Sequence, residues 1–568
     1  MFITEVPNRT SRPAVLLRES YREGGRVRSR TLANLSALSA MQVAGMKSVL
    51  AGSAIFGPDA GLEKVDDRFE GAVRAVEIAA RKLGVEQLLS RSPCHERSVV
   101  MGMLIARVLD PSSKLATTRE WQATTLPADR GLEDVTEDDL YESMDWLLER
   151  QDAIEKKLSQ RHLKNDGLVL YDLSSSYMEG STCPLAKLGY SRDGKKGTLQ
   201  VNYGLVTDAR GCPVAIRAYA GNTSDSTTVL EHAKRLKNDF GVAHMVLVGD
   251  RGMISQKQVN ALRKEGDIQW ITALKTGAIR SVVATKSLQL GLFDKTNIFS
   301  FTDPAFPGER LVACKNEELA KLRAHKRASL LDATCKELGR VSSMASKGSV
   351  VGEDAIGVRV GKVVNKYKVA KHFTLKIEPT SFTYEVNKQS VEHEAALDGL
   401  YVVRTSVAEE TMSAEDAVRS YKRLANVERA FRSIKTVDLH IRPIHHRLEG
   451  RVRAHMLLCM LAYYIQWHMQ EALRPMLFAD EDQAAKATRD PVAPAKRSAA
   501  ASKKATSRVL PDGDKVTSFR SLLKNLATIT RSTFAPINAK NEKQRFTMLT
   551  RASPMQAKAF ALLDTIQM

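Results

Sequence analysis

Little in this chain suits an oxidising compartment, a bilayer or a bound nucleotide. Among 568 residues there are six cysteines: Cys94, Cys183, Cys212, Cys314, Cys335 and Cys459. None forms a C-x-x-C pair, so the spacing offers neither a zinc ribbon nor a dithiol motif. So few thiols in so long a chain fit a reducing compartment. The opening segment, MFITEVPNRTSRP, has no apolar core and does not read as a signal peptide. Hydrophobic runs are short. The most apolar, Met456–Ile465, falls well below the ~20 residues a membrane-spanning helix needs and reads as a buried helix. No G-x-x-x-x-G-K-[ST] loop occurs, so no nucleotide cofactor is expected. No internal repeat is visible. The expectation is a cytoplasmic protein, nucleoid-associated, with no membrane partner.

What the chain does have is positive charge. Lys and Arg number 85 against 65 Asp and Glu, a formal net charge of +20. Such an excess favours a polyanionic partner, because each neutralised phosphate releases counterions. A soluble protein that is merely basic is the alternative on charge alone. With 43% hydrophobic residues the chain can bury real cores, and its length predicts about three or four domains.

Residues 1–50 read as a small basic β region, with Val15–Leu17 and Arg26–Arg30 flanking a Gly24-Gly25 turn. Residues 51–160 are helical by period: VRAVEIAARKLGVEQLL repeats apolar residues every three or four positions. These helices make either a DNA-end-binding bundle or a collar on the next domain. From 161 to 280 the pattern turns to strands. GLVLYD (167–172) is a continuous apolar run, as for a strand buried on both faces. Leu199, Val201, Tyr203 and Leu205 alternate, and a turn at Asp208–Gly211 leads to Val214 and Ile216, forming a hairpin. Asn222–Asp225 supplies capping residues for a helix through Leu236. MVLVGD (245–250), a short helix from Ser255 and IQWITAL (268–274) follow.

The order strand, strand, strand, helix, strand, helix, strand fits a ribonuclease-H-like α/β core with a mixed sheet. Residues 281–410 are too long and too patterned for a loop and are expected to be an inserted, mainly β subdomain, with strands at Ile356–Val364, His372–Ile377 and Leu400–Arg404. The core resumes over 411–480, with one helix across 413–435. Residues 483–508, rich in Ala, Lys, Ser and Pro, read as a basic linker. A helical tail is expected over 509–568.

Two of the buried strands carry an aspartate at their expected carboxyl ends, Asp172 and Asp250. Ligands bind at that rim of an open α/β sheet, although an Asp there is often just a turn former. In YKRLANVERAFRSIK (421–435) a 3.6-residue period sets Tyr421, Glu428 and Lys435 on one stripe, beside an apolar face of Leu424, Val427, Phe431 and Ile434. Alone, Glu428 is explained by a surface ion pair. Together the three acids fit a different need. Phosphoryl transfer with two hard cations requires oxygen ligands from several elements meeting at one point.

YKRLANVERAFRSIK resembles the glutamate signature of DDE transposases from bacterial insertion sequences, the group with Tyr, Arg, Glu and Lys in one helix and a long β insertion before it. GLVLYDLSSSY resembles that group's first Asp motif. The run from VNYGLVTDARG to MVLVGDRGMIS resembles its passage from hairpin to second Asp. The resemblance spans about 165–475. It implies a ribonuclease-H-like fold and Asp172, Asp250 and Glu428 as the catalytic ligands of two Mg²⁺ ions, with Mn²⁺ as a substitute. It also implies cut-and-paste chemistry on terminal inverted repeats and target DNA by a homodimer assembled on DNA. A related nuclease that cuts without joining, or an inactive DNA-binding regulator, are the alternatives.

The group's Arg four residues before Glu is replaced by Leu424, so Arg423 or Arg432 takes over its phosphate contact. Lys435 and Tyr421 are expected to hold DNA phosphates near the metals, with Arg251 and the basic loop Arg192, Lys195 and Lys196 beside them. From Tyr421 to Arg453 nine Lys or Arg face three acids, which reads as a DNA-facing surface. No Trp lies between Trp270 and Trp467 to stack on a flipped base. Tyr367, Phe373 and Tyr384 are candidates for that task or plain β core.

Overall fold

The computed structural model describes residues 1–8, 12–51, 62–294, 296–493, 496–536 and 545–567. Its centre is an eight-stranded mixed sheet. Gly167–Tyr177, Met245–Val248 and Ile268–Ala273 run parallel. On one side, Gln200–Asp208 and Pro213–Ala220 add as an antiparallel hairpin. Helices Asp225–Asn238 and Gln256–Glu265 make the two crossovers and pack on each other. This is the strand and helix order expected of a ribonuclease-H-like core. The parallel strands are sealed on both faces, which is why they read as unbroken apolar runs: Val169, Leu170, Leu247 and Val248 are fully buried.

The opposite face is covered by Glu449–Ala472, which lies on Pro213–Ala220, and by Leu424–Arg432, which lies on Gly167–Tyr177 and Gln200–Asp208. Glu449–Ala472 is buried almost all round. A helix without a polar face needs partners on every side. Helices Gly71–Lys82, His95–Leu109 and Glu137–Glu149 supply them, sharing one continuous hydrophobic core with the sheet. The N-terminal helices therefore form a collar. Ahead of them, Phe2–Val6, Ala14–Glu23 and Arg26–Asn34 make a three-stranded sheet. Its hairpin turns on Gly24 and Gly25, whose φ angles of 56° and 76° suit glycine.

Three expectations differ from the structure. The insertion is not mainly β. Its strands Ile298–Phe301, Arg310–Lys315 and Leu400–Thr405 extend the core sheet beyond Ile268–Ala273. Between them stand helices of 30 and 15 residues, Glu317–Ser346 and Glu353–Tyr367. These pack with the hairpin Phe373–Glu378 and Ser381–Val386 around a core of their own. The segment read as a strand at 356–364 is helical because Ile356, Val360 and Val363, at helical spacing, are the buried residues, while Val358 is 59% exposed. Its β-branched composition concealed that period.

The tail is not all helix. Thr530–Pro536 pairs with Phe546–Leu549 and with Leu62–Phe69, so the two ends of the chain share a sheet. The 483–508 stretch is also more than a linker. Ala499–Ser507 is a helix capped by Ser498, and buried Lys504 donates to the carbonyls of Arg474 and Leu477 at 3.2 and 3.3 Å. Alanine-rich composition is compatible with helix even without an apolar stripe.

Candidate active site

Asp172 does not close its strand. Gly167–Tyr177 continues to Tyr177, held by its antiparallel neighbour, with Asp172 opposite Leu205. What ends near Asp172 is the parallel pairing, whose last register pair is Leu170 with Val248. Asp172 and Asp250 each lie two residues beyond that pair, on adjacent strand paths at one rim. Asp172 is partly buried and Asp250 exposed.

Backbone amides hold both carboxylates in place. Leu173 N–H donates to Asp172 Oδ1 at 2.8 Å, and Arg251 N–H to Asp250 Oδ1 at 2.7 Å. Tyr421 Oη adds a longer donation, 3.4 Å, to the same Asp250 oxygen. Burial raises the Asp172 carboxyl to about 7, opposed by the Leu173 amide and the Arg192 guanidinium and reinforced by the negative charges of Asp250 and Glu428. Asp172 therefore senses the other two acids across the rim. They form an open triangle: no trio of ligand atoms containing all three, among the described residues, draws together within 4.8 Å.

Glu428 comes from Leu424–Arg432. Val427, Ala430 and Phe431 bury that helix on the sheet, Phe431 meeting Tyr203 edge-on at 5.7 Å between centroids, and Glu428 is left exposed beside them. The helix is not continuous with its predecessor. Ala414–Lys422 ends and Leu424–Arg432 begins at Arg423, where the Asn426 amide bonds back three residues to the Arg423 carbonyl at 2.8 Å. Ser433–Val437 then widens into a π turn, a distortion that recurs at functional sites. The single stripe through Tyr421, Glu428 and Lys435 is thereby broken into three segments.

That π turn turns Lys435 inward, where other partners occupy it. The lysine is 9% exposed, its ammonium lying 2.7 Å from Asp193 and donating to Ser174 Oγ at 3.1 Å. Asp193 also pairs with Arg442 and accepts from Tyr177 N–H at 3.1 Å. Asp193 and Arg442 were not legible as site residues because neither lies in a motif, and Ser174, although inside GLVLYDLSSSY, carries no charge that would single it out. Arg192, beside them, pairs with Asp225 at the start of the Asp225–Asn238 helix, and its backbone amide donates to Ser175 Oγ at 3.0 Å.

Of the other basic residues, Arg251 and Arg432 are exposed and Arg423 partly so. Lys195 is exposed with its ammonium 3.4 Å from the Tyr177 ring centroid. The three candidate aromatics in the insertion are engaged in its fold. Tyr367 donates to Glu337 at 2.6 Å, Tyr384 to the Cys335 carbonyl at 2.9 Å, and Phe373 is buried. Trp270 is core.

Residues 168–465 match the family model described as the transposase DDE domain. Residues 3–61 match that of the IS1634 family transposase N-terminal domain. A solved structure that the chain resembles is a piggyBac transposase synaptic complex with hairpin DNA, at 10% identity and a TM-score of 0.34, covering 80% of this chain and 76% of that one. No curated protein matches. No helix among the described residues is long and apolar enough to cross a membrane.

Proposed function

Since the chain belongs to the DDE transposases of insertion sequences, metal-dependent enzymes that cleave DNA and transfer its strands, we propose that Asp172, Asp250 and Glu428 are the residues that carry this reaction. The observation behind this assignment is the shared rim position of the two aspartates, two residues past the last parallel pair, with Glu428 close enough to raise the Asp172 carboxyl. The donor set fits hard divalent cations, Mg²⁺ foremost with Mn²⁺ as substitute, because all three ligands are carboxylates and their mutual repulsion is relieved by positive charge. A bound pair of such cations supplies Lewis-acid stabilisation of the reacting phosphodiester and a more acidic attacking hydroxyl.

The protein's own groups arrange the rest. The Leu173 and Arg251 amides and the Tyr421 hydroxyl aim the two aspartates. Arg251, Arg432, Arg423 and Lys195 hold phosphates of the terminal inverted repeat and of target DNA. Lys435, locked to Asp193, braces the π turn behind Glu428. Two ends must be brought together, so the working form is a homodimer on DNA, at the nucleoid. Asp172, Asp250 and Glu428 would hold the cations, which would supply the positive charge that offsets their mutual repulsion.

The test is cleavage of a labelled terminal repeat in Mg²⁺. Asp172→Asn, Asp250→Asn and Glu428→Gln are each expected to lower the rate by on the order of a thousandfold while end binding persists. Wild-type cleavage by any one of the three would overturn the assignment.

A further inference from the structure

A second convergence of ligand-bearing side chains involves none of the three acids. His162 ends the helix Gln151–His162, Cys212 sits in the turn between Gln200–Asp208 and Pro213–Ala220, and His468 lies in Glu449–Ala472. One donor atom from each lies within 4.8 Å of the others, the sole such group among the described residues. We propose that His162, Cys212 and His468 form a structural site for a zinc-class cation that pins the hairpin turn to the two helices.

The donor chemistry suits that class. Two imidazoles and a thiolate are borderline-soft ligands that select zinc and its neighbours over Mg²⁺ or Ca²⁺. The spacing suits it too. Zn–S near 2.3 Å and Zn–N near 2.0–2.1 Å at a tetrahedral angle place sulfur and nitrogen about 3.6 Å apart, and Cys212 Sγ lies 3.7 Å from His468 Nε2. Cys212 is fully buried and His468 is 8% exposed, so protein surrounds the donors. The fourth position falls to Tyr464, whose hydroxyl is 3.0 Å from His162 Nε2, or to water reaching partly exposed His162.

The surroundings are those of an oriented ligand set. Asp208 accepts from the Cys212 amide at 3.0 Å, fixing the cysteine from behind. Two guanidinium groups stand nearby, Arg210 donating to Asp208 at 2.9 Å and Arg161 to the Leu83 carbonyl at 2.9 Å, and both add to burial in keeping the His162 and His468 imidazoles neutral, the form that binds a metal. A second cysteine–histidine pair shows the contrast: Cys459 Sγ is 3.8 Å from His455 Nε2, but no third ligand converges there among the described residues.

The site has a reason to exist. The turn that carries Cys212 also carries Gly211 and Ala209, against which Asn426 docks, its Nδ2 donating to the Ala209 carbonyl at 3.1 Å. Asn426 is two residues before Glu428. A cation holding Cys212 to both helices fixes the platform on which the glutamate helix rests, and its binding energy adds to folding.

The test uses the full chain, stripped with chelator and reloaded separately with Zn²⁺ and with Co²⁺. About one equivalent of zinc is expected to survive gel filtration. It should persist in the combined Asp172→Asn, Asp250→Asn, Glu428→Gln variant and be lost in Cys212→Ser and in His468→Gln. Cobalt should give a thiolate-to-metal charge-transfer band, the signature of a Co–S bond. Should Cys212→Ser not fold, the band in the wild type against His468→Gln decides the matter: loss or displacement supports the site, an unchanged band overturns it. Absence of both retained zinc and the cobalt band in folded wild-type protein likewise overturns it.

Discussion

The Lys435 ammonium lies 2.7 Å from the Asp193 carboxylate, with the lysine side chain 11% and the aspartate 1% exposed. A phosphate would have to displace that partner to reach the lysine. Lys435→Met is therefore expected to leave the salt dependence of end binding unchanged. A lost phosphate contact lowers the slope of log K against log salt by about 0.9, and Arg432→Ala should show that loss. Measuring both slopes separates the roles, and a reduced slope in Lys435→Met would return the lysine to the DNA-contacting set. Asp193→Asn leaves buried Lys435 and partly buried Arg442 without their counter-charge. Removing one partner of a buried pair costs about 3–5 kcal/mol, which urea unfolding would register.

Tyr421 offers a milder probe. Its hydroxyl reaches Asp250 Oδ1 at 3.4 Å, a long bond beside the stronger amide donation from Arg251. Loss of one such bond is worth about 0.5–1.5 kcal/mol. Tyr421→Phe should thus weaken the metal activation of cleavage by about two- to tenfold, shifting the Mg²⁺ midpoint while thermal stability stays close to wild type. A midpoint that does not move would show that the tyrosine only packs.

The Tyr421, Lys435 and Asp172 cases show where reading from the amino-acid order succeeds and where it stops. The strands of the core were legible because Val169, Leu247 and their neighbours form runs that only a sheet covered on both faces requires. The acids stood out because those runs end near them and because one helix carries an acid beside an apolar stripe. The break at Arg423 and the π turn at Ser433–Val437 were not legible: no proline or glycine marks either, and packing on the sheet imposes both. The cluster of His162, Cys212 and His468 was invisible for another reason. Its members belong to three elements far apart in the chain, so no motif spacing connects them.

Acid should weaken the fold in a definite window. Burial holds His232 and His446 down to about 3, with nearby lysine and arginine charges adding to the effect, and burial lowers His455 in the same direction. In the unfolded chain these rings titrate near 6.5. Above that pH neither state binds the proton and nothing is gained or lost. As pH falls below about 6.5 the unfolded chain takes up protons that the folded one refuses, so stability declines until about 3. The expected contribution of these histidines is nil above about pH 7 and a lowering of the melting temperature that grows toward pH 4. His232→Gln should make that decline shallower. A decline as steep as wild type in a folded His232→Gln protein would remove this histidine from the account.

The contact between the hairpin turn and the glutamate helix makes the sharpest forecast. Gly211 has φ +93°, and a Cβ there would stand 2.9 Å from Asn426 Cβ and 3.4 Å from the Asn426 carbonyl oxygen. Gly241 has a similar φ, +77°, but nothing within 4 Å of a built Cβ. Alanine at either position suffers the left-handed backbone cost, about 1–2 kcal/mol. At Gly211 it must also push the helix that presents Glu428, because the near atoms are the Cβ and backbone of Asn426 and not a flexible side-chain end. Gly241→Ala is expected to lower the melting temperature and leave cleavage per folded molecule unchanged. Gly211→Ala should lose cleavage well beyond its loss of stability, since ångström-scale displacement of a catalytic group costs on the order of a hundredfold. Melting curves and single-turnover cleavage on both variants check the contrast, and equal cleavage by the two would mean that the turn does not set the position of Glu428.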